Sequence, residues 1–270
     1  MLLWIGIKPV DMPELPDLQA FSKNLDKRLS GKKVEKINAV VTKKLNVKAA
    51  VLASSLEGAT LKEVVREGKT LQFLFSNKAV LGLHLMLNGE LWLDEHLENR
   101  KGAIIEITFT DGWIFTMTDY QGMAAATLNP QPTGVPDAMS EEADEQFYLT
   151  LLASKRSAVK NILLDQKSVQ GIGNAYADEI LWDCRISPFS VANKIPEKAV
   201  RALSKSVRKV LTDAEQHILK TNPSIISGEE RGFLKIHGAK IKESPGGAEV
   251  QVKRMGARKT YFTDEQVLYS

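Results

Sequence analysis

Apolar residues at Leu15, Leu18, Phe21, Leu25 and Leu29 fall at helical spacing, with Pro13 and Pro16 at the start and Gly31 as a stop. That pattern predicts an amphipathic helix over 16–30. From Lys33 to Leu128 the period changes to short β-branched and aromatic runs (VEKINAVV, LQFLFS, AVLGLHLML, GELWL, AIIEITFT, WIFTMT) separated by Gly, Asn and Asp. These predict a β-sandwich, with helical turns within 43–56. The stretch 129–144, NPQPTGVPDAMSEEAD, has no periodicity and concentrates Pro, Gly and acid, as a linker does. Helical spacing then returns over 141–152, on both sides of a break at Gly171-Ile172-Gly173-Asn174, and over 196–220, where Pro196 stands near the first turn. In the last segment Gly246-Gly247 separates IKES from AEVQVKRM and predicts a hairpin, with Ile241, Val250, Val252, Tyr261 and Phe262 packed together.

The expected class is therefore α+β with two domains: an N-terminal β-sandwich with flanking helices, and a C-terminal helical domain that ends in a β-hairpin. The expected divisions are an extension over 1–11, a sandwich domain over 12–130, a linker over 131–144, a helical domain over 145–232 and a hairpin over 233–270. A chain of 270 residues with 43% hydrophobic content can bury two such cores.

Charge and cysteine content narrow the chemistry. The net charge is only +3, so a nucleic-acid surface has to come from local clustering of Lys and Arg. Such a cluster exists in 233–270, where Lys235, Lys240, Lys242, Lys253, Arg254, Arg258 and Lys259 outnumber Glu243, Glu249, Asp264 and Glu265. The basic residues of 196–220 (Lys198, Arg201, Lys205, Arg208, Lys209) read instead as a solvated helix face. A single cysteine, Cys184, excludes an internal disulfide and a thiolate zinc site, and fits a reducing cytoplasm. No apolar run approaches the roughly 18 residues of a membrane span, and 1–10 is short for a secretory signal. The expectation is a monomer in the cytoplasm with no membrane contact.

Five short strings carry candidate chemistry. The segment 154–182, SKRSAVKNILLDQKSVQGIGNAYADEILW, reads as helix, glycine turn, helix. Its turn amides and the helix N-terminus behind them could cradle a phosphate, although a plain αα-turn needs glycines for the same steric reason. The others are Met12-Pro13-Glu14-Leu15-Pro16-Asp17, Arg66-Glu67-Gly68-Lys69, His84-Leu85-Met86-Leu87-Asn88-Gly89 and Gly256-Ala257-Arg258-Lys259-Thr260-Tyr261.

Together these strings resemble the formamidopyrimidine-DNA glycosylase and endonuclease VIII family of bacterial base-excision-repair enzymes, with its helix-two-turn-helix. The resemblance implies a bifunctional DNA glycosylase and AP lyase that needs no cofactor or metal, binds damaged double-stranded DNA and works in the cytoplasm at the nucleoid. Pro13, as a free N-terminal amine, is the implied nucleophile, and Glu14 handles protons beside it. Lys69 and Arg258 complete the catalytic set. Lys155, Gly173, Asn174, Tyr176, His84 and Arg258 are the implied DNA contacts. Leu87, or its neighbour Met86, takes the place of the methionine that fills the gap left by the extruded nucleotide.

Four departures from the family's main pattern accompany this likeness. Gln121 and Met123, in Asp119-Tyr120-Gln121-Gly122-Met123-Ala124, stand where the branch that repairs 8-oxoguanine has arginine and phenylalanine. The run 228–237, GEERGFLKIH, is too short for that branch's base-capping loop, and both departures point away from 8-oxoguanine. The final hairpin resembles the zinc-less finger of a minority of relatives, since it has no cysteine and His237 cannot hold a metal unaided. The fourth is the extension MLLWIGIKPVD, which matches nothing in the family. Within a chain, proline nitrogen is a tertiary amide that cannot form a Schiff base. The expectation is translation from Met12 and removal of that methionine. A different class, a catalytically silent DNA- or RNA-binding protein on the same scaffold, would have no reason to keep Pro13, Glu14, Lys69 and Arg258 together.

Overall fold

A computed structural model describes residues 12–96 and 100–270, so the reading of 1–11 as an extension lies outside the described residues. The chain divides into two units. Pro13, Asp17–Pro132 and Pro223–Glu229 belong to the first, and Glu14–Pro16, Thr133–Asn222 and Glu230–Ser270 to the second. Among the described residues no helix is long and apolar enough to cross a membrane.

In chain order the first unit holds α1 (Leu15–Leu29, counted from Asp17), β1 (Val34–Ala39), α2 (Ala49–Leu56), β2 (Leu61–Glu67), β3 (Thr70–Phe75), β4 (Val80–His84), β5 (Glu90–Asp94), β6 (Ala103–Phe109), β7 (Ile114–Thr118) and β8 (Ala125–Leu128). The strands form two antiparallel four-stranded sheets, in the orders β1-β6-β7-β5 and β2-β3-β4-β8. Alternation explains the packing: Leu71, Phe73 and Phe75 of β3 are buried while Gln72 and Leu74 are less so. Phe73 of one sheet meets Phe115 of the other at 5.0 Å between ring centroids, which marks the core between the sheets. On α1, Leu18, Phe21, Leu25 and Leu29 are all 0–1% exposed, as their spacing predicted. Asp26 of that helix accepts a hydrogen bond from the Val64 amide and so anchors β2.

Register puts three loops at one end of this sandwich. His84 pairs with Ala125 and Glu90 with Thr118, so the crossings 85–89 and 119–124 run side by side from sheet to sheet. Leu71 pairs with Leu83, which brings the β2–β3 turn at Gly68-Lys69 to the His84 end as well.

The second unit contains α3 (Glu145–Ala153), α4 (Val159–Leu164), α5 (Asn174–Asp183), α6 (Glu197–Thr221), β9 (Gln251–Met255) and β10 (Arg258–Phe262). Tyr148, Leu163, Ile172, Tyr176, Ile180, Leu203 and Leu211 are each fully buried in its core. The first of these helices starts later than its apolar spacing suggested, because the Asp144 carboxylate caps it by accepting from the Phe147 amide at 2.7 Å. The residues before that cap are not loose. Ala138 and Ala143 are buried in the same core, and Gln170 exchanges backbone bonds with Pro136 and Ala138. Pro223–Glu229 belongs instead to the first unit, where Asn24 donates to the Ile225 carbonyl and the Ser227 hydroxyl accepts from the Leu91 amide.

The basic face of α6 is exposed at Lys198, Arg201, Lys205, Arg208 and Lys209, as expected, with surface pairs along it: Arg201 with Glu145 and Glu197, Arg208 with the Met139 and Ser140 carbonyls, and Lys209 with Asp183 at 2.6 Å. Two expectations need correction. The terminal hairpin is β9 with β10, closed by Gly256-Ala257, with Gly256 at φ +60°. Gly246-Gly247 does turn the chain, but IKES and AEVQVKRM meet there only at the single bridge Glu243–Glu249. The period-two pattern could not tell which glycine turn the ladder would use. Val252, expected in the small core, is 51% exposed, while Trp182 and Ile236 join Val250, Tyr261 and Ile241 in it.

Candidate active site and nucleic-acid interface

At the shared end of the sandwich, the Arg66 guanidinium donates to Gln19 (2.8 Å) and to the Gly68 carbonyl (3.0 Å), bracing the turn. Gly68 takes a φ of +57°, which favours glycine, and Lys69 follows it at the turn. Lys69 lies close enough to His84 for its charge to matter. Burial first, and then the Lys69 ammonium, hold the His84 pKa below the usual imidazole value. The ring is therefore neutral near pH 7. Its Nδ1 accepts from the Met86 amide at 3.1 Å, which leaves the proton on Nε2, a donor suited to a phosphate oxygen.

The crossing that follows is rigid. A side chain at Gly89 would stand 2.3 Å from the Leu85 carbonyl oxygen, and the Gly89 amide donates to that oxygen. Leu85 is buried, Met86 is half-buried at φ +53°, and Leu87 is 42% exposed, so Leu87 is the residue of this turn that projects. In the neighbouring crossing the buried Asp119 carboxylate accepts from the amides of Gln121, Met123 and Ala124 at 2.7–2.8 Å. Gln121 is exposed and Met123 half-buried. Asp119 escaped the sequence reading because an acid before a turn is unremarkable in spacing.

In the second unit the glycine turn carries a carboxylate. Glu14 is 6% exposed, and its two oxygens accept from the Ala175 amide (2.9 Å) and the Tyr176 amide (3.3 Å), at the N-terminus of α5. The helix end read as a phosphate cradle thus holds a side chain of this chain, which satisfies two of its unpaired amides. A Cβ at Gly173 would lie 2.1 Å from the Glu14 carboxyl carbon, and one at Gly171 would lie 2.4 Å from Leu15 Cδ1. Both glycines make room for Glu14 and Leu15. Gln166, missed from sequence, braces the turn by accepting from the Gly171 amide and donating to the Leu164 and Ile172 carbonyls.

Of the other expected contacts here, Lys155 is exposed just beyond α3, and Asn174 donates to the Lys259 carbonyl at 3.1 Å. Gly173 is buried beneath Glu14. Tyr176 is fully buried, with Arg231 5.3 Å from its ring centroid, so its ring packs in the core of this unit.

Beneath these residues lies a buried ion pair. Lys160 and Asp178 are both 0% exposed, 2.6 Å apart. Burial pushes the Lys160 pKa down, opposed chiefly by the charge of Asp178. Lys160 also donates to the Thr260 hydroxyl (2.9 Å) and the Lys259 carbonyl (3.4 Å), and Asp178 takes the Tyr261 amide (3.0 Å) and His237 Nδ1 (2.7 Å). The pair thereby fixes β10, at whose exposed start stands Arg258.

Residues 12–126 match the family model of the formamidopyrimidine-DNA glycosylase N-terminal domain, and 135–222 that of the formamidopyrimidine-DNA glycosylase H2TH domain. The formamidopyrimidine-DNA glycosylase of Ligilactobacillus salivarius (strain UCC118) is 30% identical over 215 residues, covering 76% of this chain and 78% of that relative. The chain belongs to the formamidopyrimidine-DNA glycosylase family. Among solved structures, Lactococcus lactis Fpg in complex with DNA containing an oxidised pyrimidine is similar over 94% of this chain and 99% of its own, with a TM-score of 0.84 and 26% identity. The same protein in complex with FAPY-dG DNA gives 0.83 and 25%, with the same coverage.

In this member of the formamidopyrimidine-DNA glycosylase family, two carboxylates staple the finger. Glu179 accepts from the amides of Lys235, Ile236 and His237 at 2.8–2.9 Å. Glu265 Oε2 accepts from the Trp182 indole (2.8 Å), Ser244 (2.8 Å) and Thr263 (3.1 Å), and its Oε1 pairs with Arg185 at 2.9 Å. Among the described residues no group of three or more His, Cys, Asp or Glu could hold a metal ion. Cys184 has its thiol pushed up to about 12, chiefly by burial, and is no nucleophile.

The donors around Glu265, the Trp182 indole first, lower its pKa from 4.5 to about 2. A depressed carboxylate stabilises the fold fully above its ordinary pKa, and that contribution fades as pH falls through the folded value. Amide exchange of β9 and β10 in the native protein should therefore accelerate between pH 4.5 and about 2, after correction for intrinsic exchange rates. Glu265→Gln should be looser at neutral pH and lack that component. An identical pH profile for variant and wild type would remove Glu265 from this role.

Proposed function

We propose that this chain is a base-excision DNA glycosylase with AP lyase activity, acting on oxidised bases in duplex DNA as a monomer in the cytoplasm, at the nucleoid. The observation that carries the reading is the pinned Glu14 carboxylate, set on the α5 N-terminus directly after Pro13 in a chain of this family. The Lactococcus lactis relative bound to oxidised-pyrimidine and FAPY-dG DNA supplies the substrate class.

Lys155, Asn174, Arg258 and His84 grip phosphates, which positions the strand without reading sequence. The damaged nucleotide leaves the stack because its C1′ is unreachable within a duplex, and Leu87, with Met86 behind it, fills the gap. Gln121 and Met123 face the base left opposite. The free imino nitrogen of Pro13 attacks C1′ with its lone pair, and the C1′–N bond to the base breaks. Glu14 takes the proton that Pro13 sheds on bonding to C1′ and passes it to the departing base, and a second proton, from solvent, opens the sugar at its ring oxygen, giving an iminium between Pro13 and C1′. That cation acidifies the C2′ proton. Its removal expels the 3′ phosphate by β-elimination, and a second proton loss expels the 5′ phosphate. Lys69 and Arg258 stabilise the departing phosphates.

The test is a comparison of substrates for residues 12–270 with Met12 removed. Duplexes carrying thymine glycol, FAPY-dG or a bare abasic site should be nicked on both sides of the lesion, at least tenfold faster than 8-oxoguanine opposite cytosine. Equal or faster removal of 8-oxoguanine would overturn the preference drawn from 228–237, Gln121 and Met123. Binding without excision of any of them would make the chain a silent DNA-binding protein.

A further inference from the structure

Met86 stands where a methionine is disfavoured. Its φ is +53°, in the left-handed region that suits glycine because a Cβ there comes too close to the carbonyl oxygen. A residue keeps such a form where its surroundings hold it. Two hydrogen bonds fasten the turn to which Met86 belongs. At the far end the Gly89 amide donates to the Leu85 carbonyl at 2.9 Å, between backbone groups that do not titrate. At the near end the Met86 amide donates to His84 Nδ1 at 3.1 Å. Leu85 is 2% exposed and Gly89 has no room for a Cβ, so these two are fixed points, with Met86, Leu87 and Asn88 between them.

The near fastener can be undone by a proton. An imidazole accepts through Nδ1 only while neutral, and an imidazolium would turn an N–H toward the N–H of Met86. Burial first, and then the Lys69 ammonium on the β2–β3 turn, hold the ring's pKa below the usual imidazole value and so keep it neutral near pH 7. The neighbouring strands bring uncharged groups: β8 sets Ala125 opposite His84, and β3 begins at Thr70, just before the Leu71–Leu83 pair. Of the acids at this end, Glu67 is bonded by Gln72, and Asp119 by the amides of Gln121, Met123 and Ala124.

We propose that neutral His84 is the catch on the Leu87 turn, a positioning residue whose Nδ1 holds the turn in its gap-filling form while Nε2 meets a phosphate. This rests on the excision reading above. Protonation then has two opposite effects. The added charge strengthens the grip on any duplex, and loss of the Nδ1 acceptor lets Met86 leave the left-handed region and carries Leu87 off its line. A histidine that did no more than bind phosphate would strengthen binding to damaged and intact duplex alike.

The experiment measures binding of the 270-residue chain to an uncleavable duplex with a tetrahydrofuran abasic analogue, and to an intact duplex of the same sequence, from about pH 7.5 to about pH 5.5. Wild type should prefer the tetrahydrofuran duplex at the upper limit and lose about tenfold of that preference at the lower, while its affinity for intact duplex rises. His84→Asn puts an uncharged carbonyl near the place of Nδ1. It should keep the preference across the range, although it binds both duplexes more weakly for want of the Nε2 donor. His84→Gln, whose amide reaches toward the place of Nε2 instead, should have lost about tenfold of the preference already at the upper limit. Glycine at 86 needs no catch, so in a Met86→Gly background His84→Gln should lower the preference by less than about twofold. In free wild-type protein the Met86 amide resonance should titrate together with the His84 ring, a reading that requires no variant. A preference that ignores pH, one that fades equally in His84→Asn, or a Met86 amide blind to the ring's titration would overturn the catch and leave the excision reading standing. A wild type with no preference for the tetrahydrofuran duplex at neutral pH would sink the excision reading, and this inference with it.

Discussion

Incubated with abasic duplex and borohydride, residues 12–270 with Met12 removed should become covalently joined to DNA, and the 270-residue chain with its first eleven residues attached should not. The difference is all or nothing because it is one of bonding. In the long form the Pro13 nitrogen is a tertiary amide, its lone pair shared with the preceding carbonyl, and it cannot add to C1′ and lose a proton. In the short form it is a secondary amine, an intrinsically competent nucleophile whose iminium borohydride reduces to a stable link. Acetylating the short form's N-terminus should abolish trapping without changing its affinity for duplex. Mass spectrometry of each N-terminus before the reaction guards against removal of the first residues during expression. Equal trapping by an intact long form would show that another amine, Lys69 foremost, is the nucleophile.

The second large effect concerns Lys160. Lys160→Met keeps the volume of the side chain but leaves the buried Asp178 with only His237 and the Tyr261 amide beside it, and breaking one side of a buried pair typically costs about 3–5 kcal/mol. The melting temperature should fall on the order of 10 °C. Because Lys160 also holds the Thr260 hydroxyl and the Lys259 carbonyl, the loss should reach function by a separate route. Below its new melting point the variant should bind abasic duplex more weakly, with a flatter dependence of log K on log salt by about one phosphate contact, as Arg258 loses its seat. A variant that melts within a few degrees of wild type would show that the pair is not the keystone of this unit.

These two cases bracket what sequence can reveal. The Pro13 argument needs only covalent chemistry and a local string, and so was legible from residues 12–17. The β2–β3 turn at Gly68-Lys69 was legible for the same reason, since a two-residue turn is a local event. Glu14 on the amides of Ala175 and Tyr176 was not legible, because a helix end invites any anion and nothing in periodicity says that the carboxylate comes from the other end of the chain. The same blindness gave Val252 to the core, when its exposure reverses that. Lys160 stood out only as one more cation. Its meaning lies in Asp178, one helix away across a turn, and in a strand nearly a hundred residues later.

The seat that Gly171 and Gly173 hold open for Glu14 and Leu15 also imposes an order in time. A ribosome adds roughly 5–20 residues per second, so the turn emerges on the order of ten seconds after Glu14 itself. Through that interval the start of the chain has no helix end to dock on, and it stays within reach of the peptidases that trim new N-termini. Once α5 forms, the two amides close over the carboxylate and Leu15 enters the core of the second unit. On the excision reading, unmasking of the Pro13 amine and burial of the residues beside it would thereby be scheduled by the distance along the chain between Glu14 and its glycine seat.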